Sequence, residues 1–172
     1  MILLIAGGTH TGKTLLAQRL LERYHYPTLS IDHLKMGLIR SGQTALTPMD
    51  PDESLTAYLW PIVREMVKTA IENNQNLIVE GCYIPHDWAK DFGPEYLPHI
   101  RCRFLILSEG YIRTHWDDIL SHANAIEQRL DDSLDMEALI GDNRRNLELC
   151  KKYGCPYILI EDAYDISLDE FI

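Results

Sequence analysis

Eight residues near the start of the chain have the spacing of a phosphate-binding loop. The segment Gly7-Gly8-Thr9-His10-Thr11-Gly12-Lys13-Thr14 matches the pattern GxxxxGK[ST] at every fixed position. Glycines let a backbone wrap closely around a phosphate with its N–H groups pointing inward. A helix that follows adds its unsatisfied N–H groups and the positive end of its dipole. We therefore predict that this segment binds the phosphates of a nucleoside triphosphate.

The residues of this loop have different expected roles. Lys13 is expected to bridge the β- and γ-phosphates, and the Thr14 hydroxyl is expected to hold Mg²⁺. The predicted nucleotide-contacting residues are Gly7, Gly8, Thr9, His10, Thr11, Gly12, Lys13, Thr14 and the following Leu15. The loop does not choose a reaction, because GTPases, motor ATPases and kinases share it.

Two carboxylates follow short apolar runs that are typical of buried strands. Glu80 comes directly after residues 77–79, and Asp32 comes directly after residues 28–31. Beside a phosphate loop, Glu80 is expected to orient Mg²⁺ or to accept a proton. Asp32 has two interpretations that can both hold. It caps the N-terminus of a helix, or it acts as the base that accepts the proton of an acceptor hydroxyl.

The basic residues between these two carboxylates bear on the class of acceptor. An enzyme that phosphorylates another phosphate needs no base, because that oxygen is already anionic, but it needs arginines that hold the anion. The basic residues between the two carboxylates are only Lys35, Arg40, Arg64 and Lys68. The last two lie in a stretch of helical spacing, where they can simply face solvent. A hydroxyl acceptor is therefore favoured.

Strand-like and helical stretches alternate along the chain. The apolar runs are 2–6, 28–31, 77–79, 102–107 and 157–160, and the stretches with the apolar spacing of helices are 14–24, 55–71, 111–123 and 136–153. Pro61 is expected to kink the second of these helices or to lie in the first turn of a shorter one. Such alternation predicts a parallel sheet covered on both faces, with ligands bound beyond the carboxyl ends of its strands.

Length, charge and cysteine content narrow the function classes. The 172 residues fit one domain, residues 1–172, and no apolar run approaches the roughly 20 residues of a membrane span. Residues 1–6 have no basic lead-in, so they predict a buried strand rather than a signal peptide, and we expect a cytoplasmic protein.

The net charge of −10 repels phosphate backbones and disfavours nucleic acid as a partner. The four cysteines form no CxxC pair, which favours buried thiols over a metal site.

In these features the chain resembles the small P-loop kinases, which include the adenylate, shikimate and gluconate kinases, 2-phosphoglycerate kinase and the zeta-toxin type of sugar-nucleotide kinase. The resemblance rests on residues 7–14, on Ser30-Ile31-Asp32-His33, on Leu77-Ile78-Val79-Glu80-Gly81 and on the helix with Asn143-Arg144-Arg145 that leads to residues 157–160. It implies an α/β P-loop NTPase fold, with a five-stranded parallel sheet in the order 2-3-1-4-5 and helices on both faces. It also implies a substrate-binding helical region after the second strand.

The resemblance further implies a mobile, arginine-bearing lid at about residues 122–145. Arg129 and Arg144 are predicted to act in catalysis and Arg145 to bind the nucleotide, because an arginine fork stabilises charge that is spread over several oxygens. The chain departs from adenylate kinases, since it has no lid rich in closely spaced arginines and no clear arginine for an acceptor phosphate after the second strand. A nucleoside monophosphate is therefore disfavoured as acceptor.

The sequence thus predicts an ATP- and Mg²⁺-dependent phosphotransferase that acts on a small-molecule acceptor, as a monomer or a homodimer. Two alternatives stay open. A nucleotide-dependent switch module would share the phosphate loop, although the chain has no Asn-Lys-x-Asp motif for guanine. A sugar-nucleotide kinase of the zeta-toxin type would be recognised by growth arrest on expression that is lost in Lys13→Ala.

Overall fold

A computed structural model describes residues 1–122 and 134–171 of the chain. Within these ranges the centre of the molecule is a five-stranded parallel sheet in the order β2-β3-β1-β4-β5. The strands are β1 (Ile2–Gly7), β2 (Thr28–Ser30), β3 (Leu77–Glu80), β4 (Ile100–Leu107) and β5 (Tyr157–Ile160). The expected parallel sheet and its strand order are confirmed.

Helices connect the strands. The α-helices of the described ranges are α1 (Lys13–Tyr24), α2 (Ile31–Arg40), α3 (Asp52–Glu72), α4 (Glu109–Thr114), α5 (Trp116–His122) and α6 (Met136–Tyr153). Short 3₁₀ turns lie at Trp88–Asp91, Leu97–His99 and Leu168–Phe171. The predicted helices 14–24 and 136–153 agree with α1 and α6. The prediction of one helix over 111–123 is wrong, because the backbone leaves the helical conformation at His115 (φ −116°, ψ 27°), between α4 and α5.

Pro61 neither begins nor ends a helix. α3 runs through it, so the expected alternative of a shorter helix that starts near Pro61 is wrong. Proline removes the hydrogen bond that its N–H would donate one turn back. The helix persists because Trp60 and Val63, on either side of the proline, are buried in the core that covers one face of the sheet. Tertiary packing outweighs the local cost of the missing bond.

Alternate residues of β1 face two separate layers of helix. Ile2 and Leu4 belong to a core cluster that includes residues of α3, whereas Leu3 and Ile5 belong to a second cluster that includes residues of α1. Every residue of β1 is buried. Burial on both faces explains why this strand is an unbroken apolar run rather than an alternating one.

The register of the sheet brings the carboxyl ends of three strands together. Ile5 of β1 pairs with Glu80 of β3, and Ser30 of β2 pairs with the same Glu80. The phosphate loop follows β1 and Asp32 follows β2. The three groups with predicted chemistry therefore lie at one edge of the sheet, as expected for a ligand site in this architecture.

The described ranges also bear on metal binding and on membrane insertion. Within residues 1–122 and 134–171, no three His, Cys, Asp or Glu side chains form a group able to hold a metal ion by themselves. The four cysteines are free thiols, and three of them are buried. Across the described part of the chain, no helix combines the length and the apolar character needed to cross a bilayer.

Candidate active site

The phosphate loop joins the end of β1 to the start of α1, and its shape requires glycine at two positions. Gly7 has φ 133° and Gly12 has φ 78°, both in the region that L side chains disfavour. A Cβ atom at Gly7 would lie 2.4 Å from the carbonyl oxygen of Leu105 on the neighbouring strand β4. These two glycines are therefore required by the backbone of the loop itself.

The Lys13 side chain lies within the loop. Its ammonium donates a hydrogen bond to the carbonyl oxygen of Gly8 at 2.6 Å, and the residue is only 6% exposed. The Thr11 hydroxyl donates to the same carbonyl at 3.0 Å. The loop thus encloses a positive charge, and the N-terminus of α1 adds N–H groups that have no partner within the helix. A phosphate chain is the ligand that this arrangement fits.

Thr14 and Glu80 bring a hydroxyl and a carboxylate together beside the phosphate loop. The Thr14 hydroxyl donates a hydrogen bond to Oε2 of Glu80 at 3.3 Å, and Glu80 is only 3% exposed at the end of β3. Mg²⁺ prefers oxygen ligands and commonly takes one or two from the protein and the rest from substrate phosphates and water. The two oxygens beside the phosphate loop fit such an ion.

Asp32 lies in the first turn of α2 rather than at its cap. The helix begins at Ile31 and Ser30 occupies the cap position, so the predicted capping role of Asp32 is wrong. Its carboxylate instead accepts a hydrogen bond from the Lys35 ammonium at 2.5 Å, one turn further along the helix. The Lys35 ammonium also donates to the Tyr83 hydroxyl at 2.9 Å, so the carboxylate belongs to a small polar cluster.

One large cleft connects the loop, Glu80 and Asp32. Its volume is about 1590 Å³, which exceeds the roughly 300–1,000 Å³ of a pocket for one small ligand. Besides these groups, its walls include Lys35, Arg40, Trp60, Arg64, Tyr83, His86, Asp142 and Arg145. The cleft has room for a nucleotide and a second molecule side by side.

The predicted nucleotide-contacting residues divide into two groups. Those that line the cleft are Gly7, Gly8, Thr9, Lys13 and Thr14, and those that do not are His10, Thr11, Gly12 and Leu15. His10 Nδ1 lies 2.9 Å from the Thr9 hydroxyl at the tip of the loop, and Leu15 is 41% exposed on α1. The second group shapes or borders the loop in this structure, and its contact with a nucleotide stays a prediction.

Comparisons with solved structures find this architecture in known kinases. A deoxyadenosine kinase from M. mycoides with bound dATP has a TM-score of 0.54 at 12% identity, over 96% of this chain and 93% of that one. A gluconokinase from Sinorhizobium meliloti 1021 has a TM-score of 0.52 at 15% identity, over 98% of this chain and 85% of that one. The chain has the fold of the small P-loop kinases. At such identities the likeness shows the fold and leaves the acceptor unspecified.

The same P-loop fold also occurs in a protein of nucleic-acid repair. A chain of the Pnkp1/Rnl/Hen1 RNA repair complex has a TM-score of 0.51 at 14% identity, over 86% of this chain and 45% of that one. No model of a protein family matches the sequence, and no curated protein matches it. The acceptor must therefore be argued from the residues of this chain's own cleft.

The lid predicted at about residues 122–145 falls partly on a helix of the described structure. Residues 136–145 belong to α6, which is fixed to the sheet by the buried Asn143. Its side-chain oxygen accepts a hydrogen bond from the Leu107 N–H at 2.8 Å, at the end of β4. Residues 136–145 therefore form a packed helix in this structure, and their role in a lid stays a prediction. The expected lid residues 123–133 lie outside the described residues.

The three predicted phosphate-clamping arginines differ in position. Arg145 lines the cleft, and its guanidinium lies 3.6 Å from the Glu53 carboxylate of α3. Arg144 does not line the cleft and pairs with Glu109 of α4 at 3.0 Å. Arg129 lies outside the described residues. Of these arginines, the described structure brings only Arg145 to the cleft.

Tyr164 is a site residue that the sequence analysis did not identify. It lies after β5, and its hydroxyl is 3.0 Å from the carbonyl oxygen of Gly12 and 3.2 Å from that of Thr11. Burial raises the pKa of this phenol above its usual value, so the hydroxyl keeps its proton and donates to the loop. A Cβ atom at Gly12 would lie 2.3 Å from the same hydroxyl oxygen. No motif surrounds Tyr164, so sequence reasoning had no signal with which to find it.

His86 is a further titratable group in the cleft wall. Its ring stacks on Phe104 of β4 with the ring centroids 4.5 Å apart. The pKa of this imidazole is lowered, mainly by burial and also by the charge of Arg145. A hydrogen bond with Asn146 and the charge of Asp87 raise the pKa but do not outweigh burial. The neutral imidazole is therefore the favoured form in the folded protein.

Proposed function

We propose that the chain is an ATP-dependent phosphotransferase that transfers a phosphoryl group to a hydroxyl group of a small molecule. The observation that carries this proposal is the shared cleft. The phosphate loop with Lys13 and the Asp32 carboxylate both line this cleft, which has a volume of about 1590 Å³. A switch module needs the loop alone, whereas a phosphotransferase needs a second substrate beside it.

The triphosphate side of the cleft would hold and neutralise the donor. The loop N–H groups and the Lys13 ammonium bind the β- and γ-phosphates, with the ammonium turning from the Gly8 carbonyl toward the phosphate oxygens. Thr14 and Glu80 would hold Mg²⁺, which when bound neutralises charge that develops on the phosphate oxygens. Arg145 is placed to add a guanidinium from α6 to the same anion.

The acceptor side would supply the base. The Asp32 carboxylate accepts the proton of the acceptor hydroxyl as its oxygen bonds to the γ-phosphorus. The bond between that phosphorus and the β–γ bridging oxygen breaks in line, and ADP leaves with the electron pair. The proton then passes from Asp32 to solvent, which restores the carboxylate.

The cations of the acceptor side support a hydroxyl rather than a phosphate as the acceptor group. Three cations that line the cleft already contact carboxylates, and among the described residues Arg40 is a cation of the cleft without such an ion pair. Lys35 contacts Asp32, Arg64 contacts Glu65, and Lys90 contacts Asp87. A phosphate acceptor would compete with these carboxylates for its partners, whereas a hydroxyl needs only the base.

The proposal is tested by incubating the purified protein with [γ-³²P]ATP, Mg²⁺ and single acceptors. The panel contains nucleosides, sugars and sugar acids, nucleoside monophosphates and a 5′-hydroxyl oligonucleotide, with Lys13→Ala as the inactive control. We expect Mg²⁺-dependent label on a small hydroxyl acceptor. Label on water alone would favour the switch module, and preferential label on monophosphates or the oligonucleotide would overturn the assigned acceptor class.

A further inference from the structure

Lys35 is more enclosed than the carboxylate it contacts. Its side chain is 12% exposed, compared with 34% for that of Asp32. The ammonium is 2.5 Å from Oδ1 of Asp32 and 2.9 Å from the Tyr83 hydroxyl oxygen, and it lies 4.9 Å from the centroid of the Tyr83 ring. One lysine thus contacts a carboxylate of α2 and an aromatic residue of the loop that follows β3.

The surroundings of Lys35 keep it charged. Burial by itself lowers the pKa of the ammonium, but the hydrogen bonds to Asp32 and Tyr83 outweigh burial and hold the pKa well above its usual value. Burial also raises the pKa of the Tyr83 phenol, so the tyrosine accepts from the lysine as a neutral hydroxyl. The charge of Asp32 also acts on the Cys82 thiol, which belongs to the same loop. Lys35 therefore holds its proton and is not itself a base.

The contact with Lys35 distinguishes the two oxygens of Asp32. The lysine ammonium occupies Oδ1, which leaves Oδ2 as the oxygen for a hydroxyl of the acceptor. The Tyr83 contact limits where the ammonium can lie, because Tyr83 is itself only 6% exposed and packs in the core. The position of the carboxylate is thereby linked to the rigid sheet through a residue outside its own helix.

We propose that Lys35 is a positioning residue for phosphoryl transfer, which, held by Tyr83, orients the Asp32 carboxylate so that Oδ2 takes the acceptor proton. This inference rests on the proposed kinase function and deepens it. The proton moves from the acceptor hydroxyl to Oδ2, the new bond forms between the acceptor oxygen and the γ-phosphorus, and ADP is the leaving group. Lys35 neither gains nor loses a proton in this step.

The first experiment separates positioning from binding. With an acceptor found in the label-transfer assay, Lys35→Met is expected to lower kcat about 10²-fold, because a small displacement of a reacting group costs about that much. The Kd for ATP, measured by calorimetry, should stay within about 2-fold, since Lys35 lies on the acceptor side. Lys35→Arg should recover part of kcat, because it keeps a charged donor in place.

The chain offers a matched control for this substitution. Lys68 of α3 also pairs with a carboxylate three residues away, Glu65 at 3.1 Å, and its ammonium lies 5.8 Å from the centroid of the Tyr96 ring. Lys68 is not among the residues that line the cleft. Lys68→Met therefore removes the same kinds of contact at a distance from the site, and it should leave kcat unchanged.

The decisive experiment is a double-mutant cycle. If Lys35 acts through Asp32, then Lys35→Met should cause less than about a 2-fold further loss of kcat in an Asp32→Asn background. If the two substitutions instead lower kcat by factors that multiply, the proposal is overturned. Such a result would show that Lys35 contributes to kcat independently of Asp32, by holding the acceptor or the fold. Thermal melting of each variant shows whether a loss of kcat comes from unfolding. If Lys35→Met does not fold, the cycle is measured with Lys35→Arg instead.

The outcomes for the two proposals are distinguishable. Wild-type label transfer together with a Lys35→Met variant of normal kcat would overturn the positioning role and leave the kinase function intact. Absence of label transfer by the wild-type protein to any acceptor, while calorimetry shows that ATP binds, would overturn both.

Discussion

The Thr14 hydroxyl lies 3.3 Å from the Glu80 carboxylate, although 66 residues separate the two along the chain. The parallel pairing of β1 with β3 brings them together, because it places Glu80 opposite Ile5, just before the phosphate loop. A hydroxyl and a carboxylate beside this loop, at the start of α1, are suitable ligands for Mg²⁺. The pair therefore makes the metal requirement of the proposed reaction testable.

Glu80→Gln should raise the Mg²⁺ concentration needed for half-maximal phosphoryl transfer by about 10-fold or more, because groups that orient a metal typically contribute 10- to 100-fold in affinity. The measurement is a Mg²⁺ titration of initial rate at saturating ATP. Glu148→Gln, at an exposed position of α6, is the control. An unchanged Mg²⁺ requirement in Glu80→Gln would show that Glu80 has no role at the metal.

Lys13→Ala should lower the rate of phosphoryl transfer by about 10³-fold, because it removes a preorganised charge from the developing anion. The fold should be retained, since the hydrogen bond from the Lys13 ammonium to the Gly8 carbonyl lies within the loop itself. Rates are measured by label transfer and the fold by circular dichroism. Lys151→Ala, at an exposed position of α6, is the control. A rate within 10-fold of wild type would contradict the role of the loop.

Asp32→Asn should reduce kcat by about 10²- to 10⁴-fold, the range for loss of a general base. The affinity for ATP should change little, because Asp32 lies on the acceptor wall and asparagine keeps an oxygen for Lys35. The comparison is kcat from label transfer against the Kd for ATP from calorimetry. Equal losses in the two quantities would contradict a role in proton transfer.

Tyr164→Phe should lower the free energy of unfolding by about 1 kcal/mol, because it removes a partly buried hydrogen bond to the phosphate loop. The affinity for ATP should also fall a few-fold, since the loop loses the group that anchors it from the region after β5. Denaturant unfolding and calorimetry provide the two values. Tyr157→Phe, at a residue 38% exposed on β5, controls for loss of a hydroxyl. A loss of stability without any change in ATP affinity would show that Tyr164 does not maintain the shape of the loop that binds ATP.

His86 should make the free energy of unfolding depend on pH below neutrality. Because burial lowers its pKa in the folded state, the unfolded chain binds the proton more readily, and the stability is present above pH about 6.5 and lost as the pH falls further. His86→Gln removes this dependence. The difference in free energy of unfolding between wild type and His86→Gln should shrink from pH 7.5 to pH 5.5, with the exposed His99→Gln as control. A difference that grows toward low pH would show that His86 binds its proton more readily in the folded state than in the unfolded chain.

The arginines show where sequence reasoning stops. Arg144 and Arg145 are neighbours with equal chemistry, and the sequence predicts a phosphate-binding role for both. In the helix they point about 100° apart, and the described structure brings Arg145 but not Arg144 to the cleft. The buried Leu139 and Asn143 fix the rotation of α6 against the sheet, and that rotation turns Arg145 toward the cleft and Arg144 toward Glu109.

The sequence by itself determined the phosphate loop, the positions of the five strands and the two carboxylates at their ends. It could do so because these features depend on neighbouring residues and on short periodicities. The tertiary structure alone decided that Lys35 contacts Tyr83 and that Tyr164 contacts Gly12, which lie 48 and 152 residues apart along the chain. Such contacts depend on how the helices and loops pack on the sheet, and no local pattern of residues records that packing.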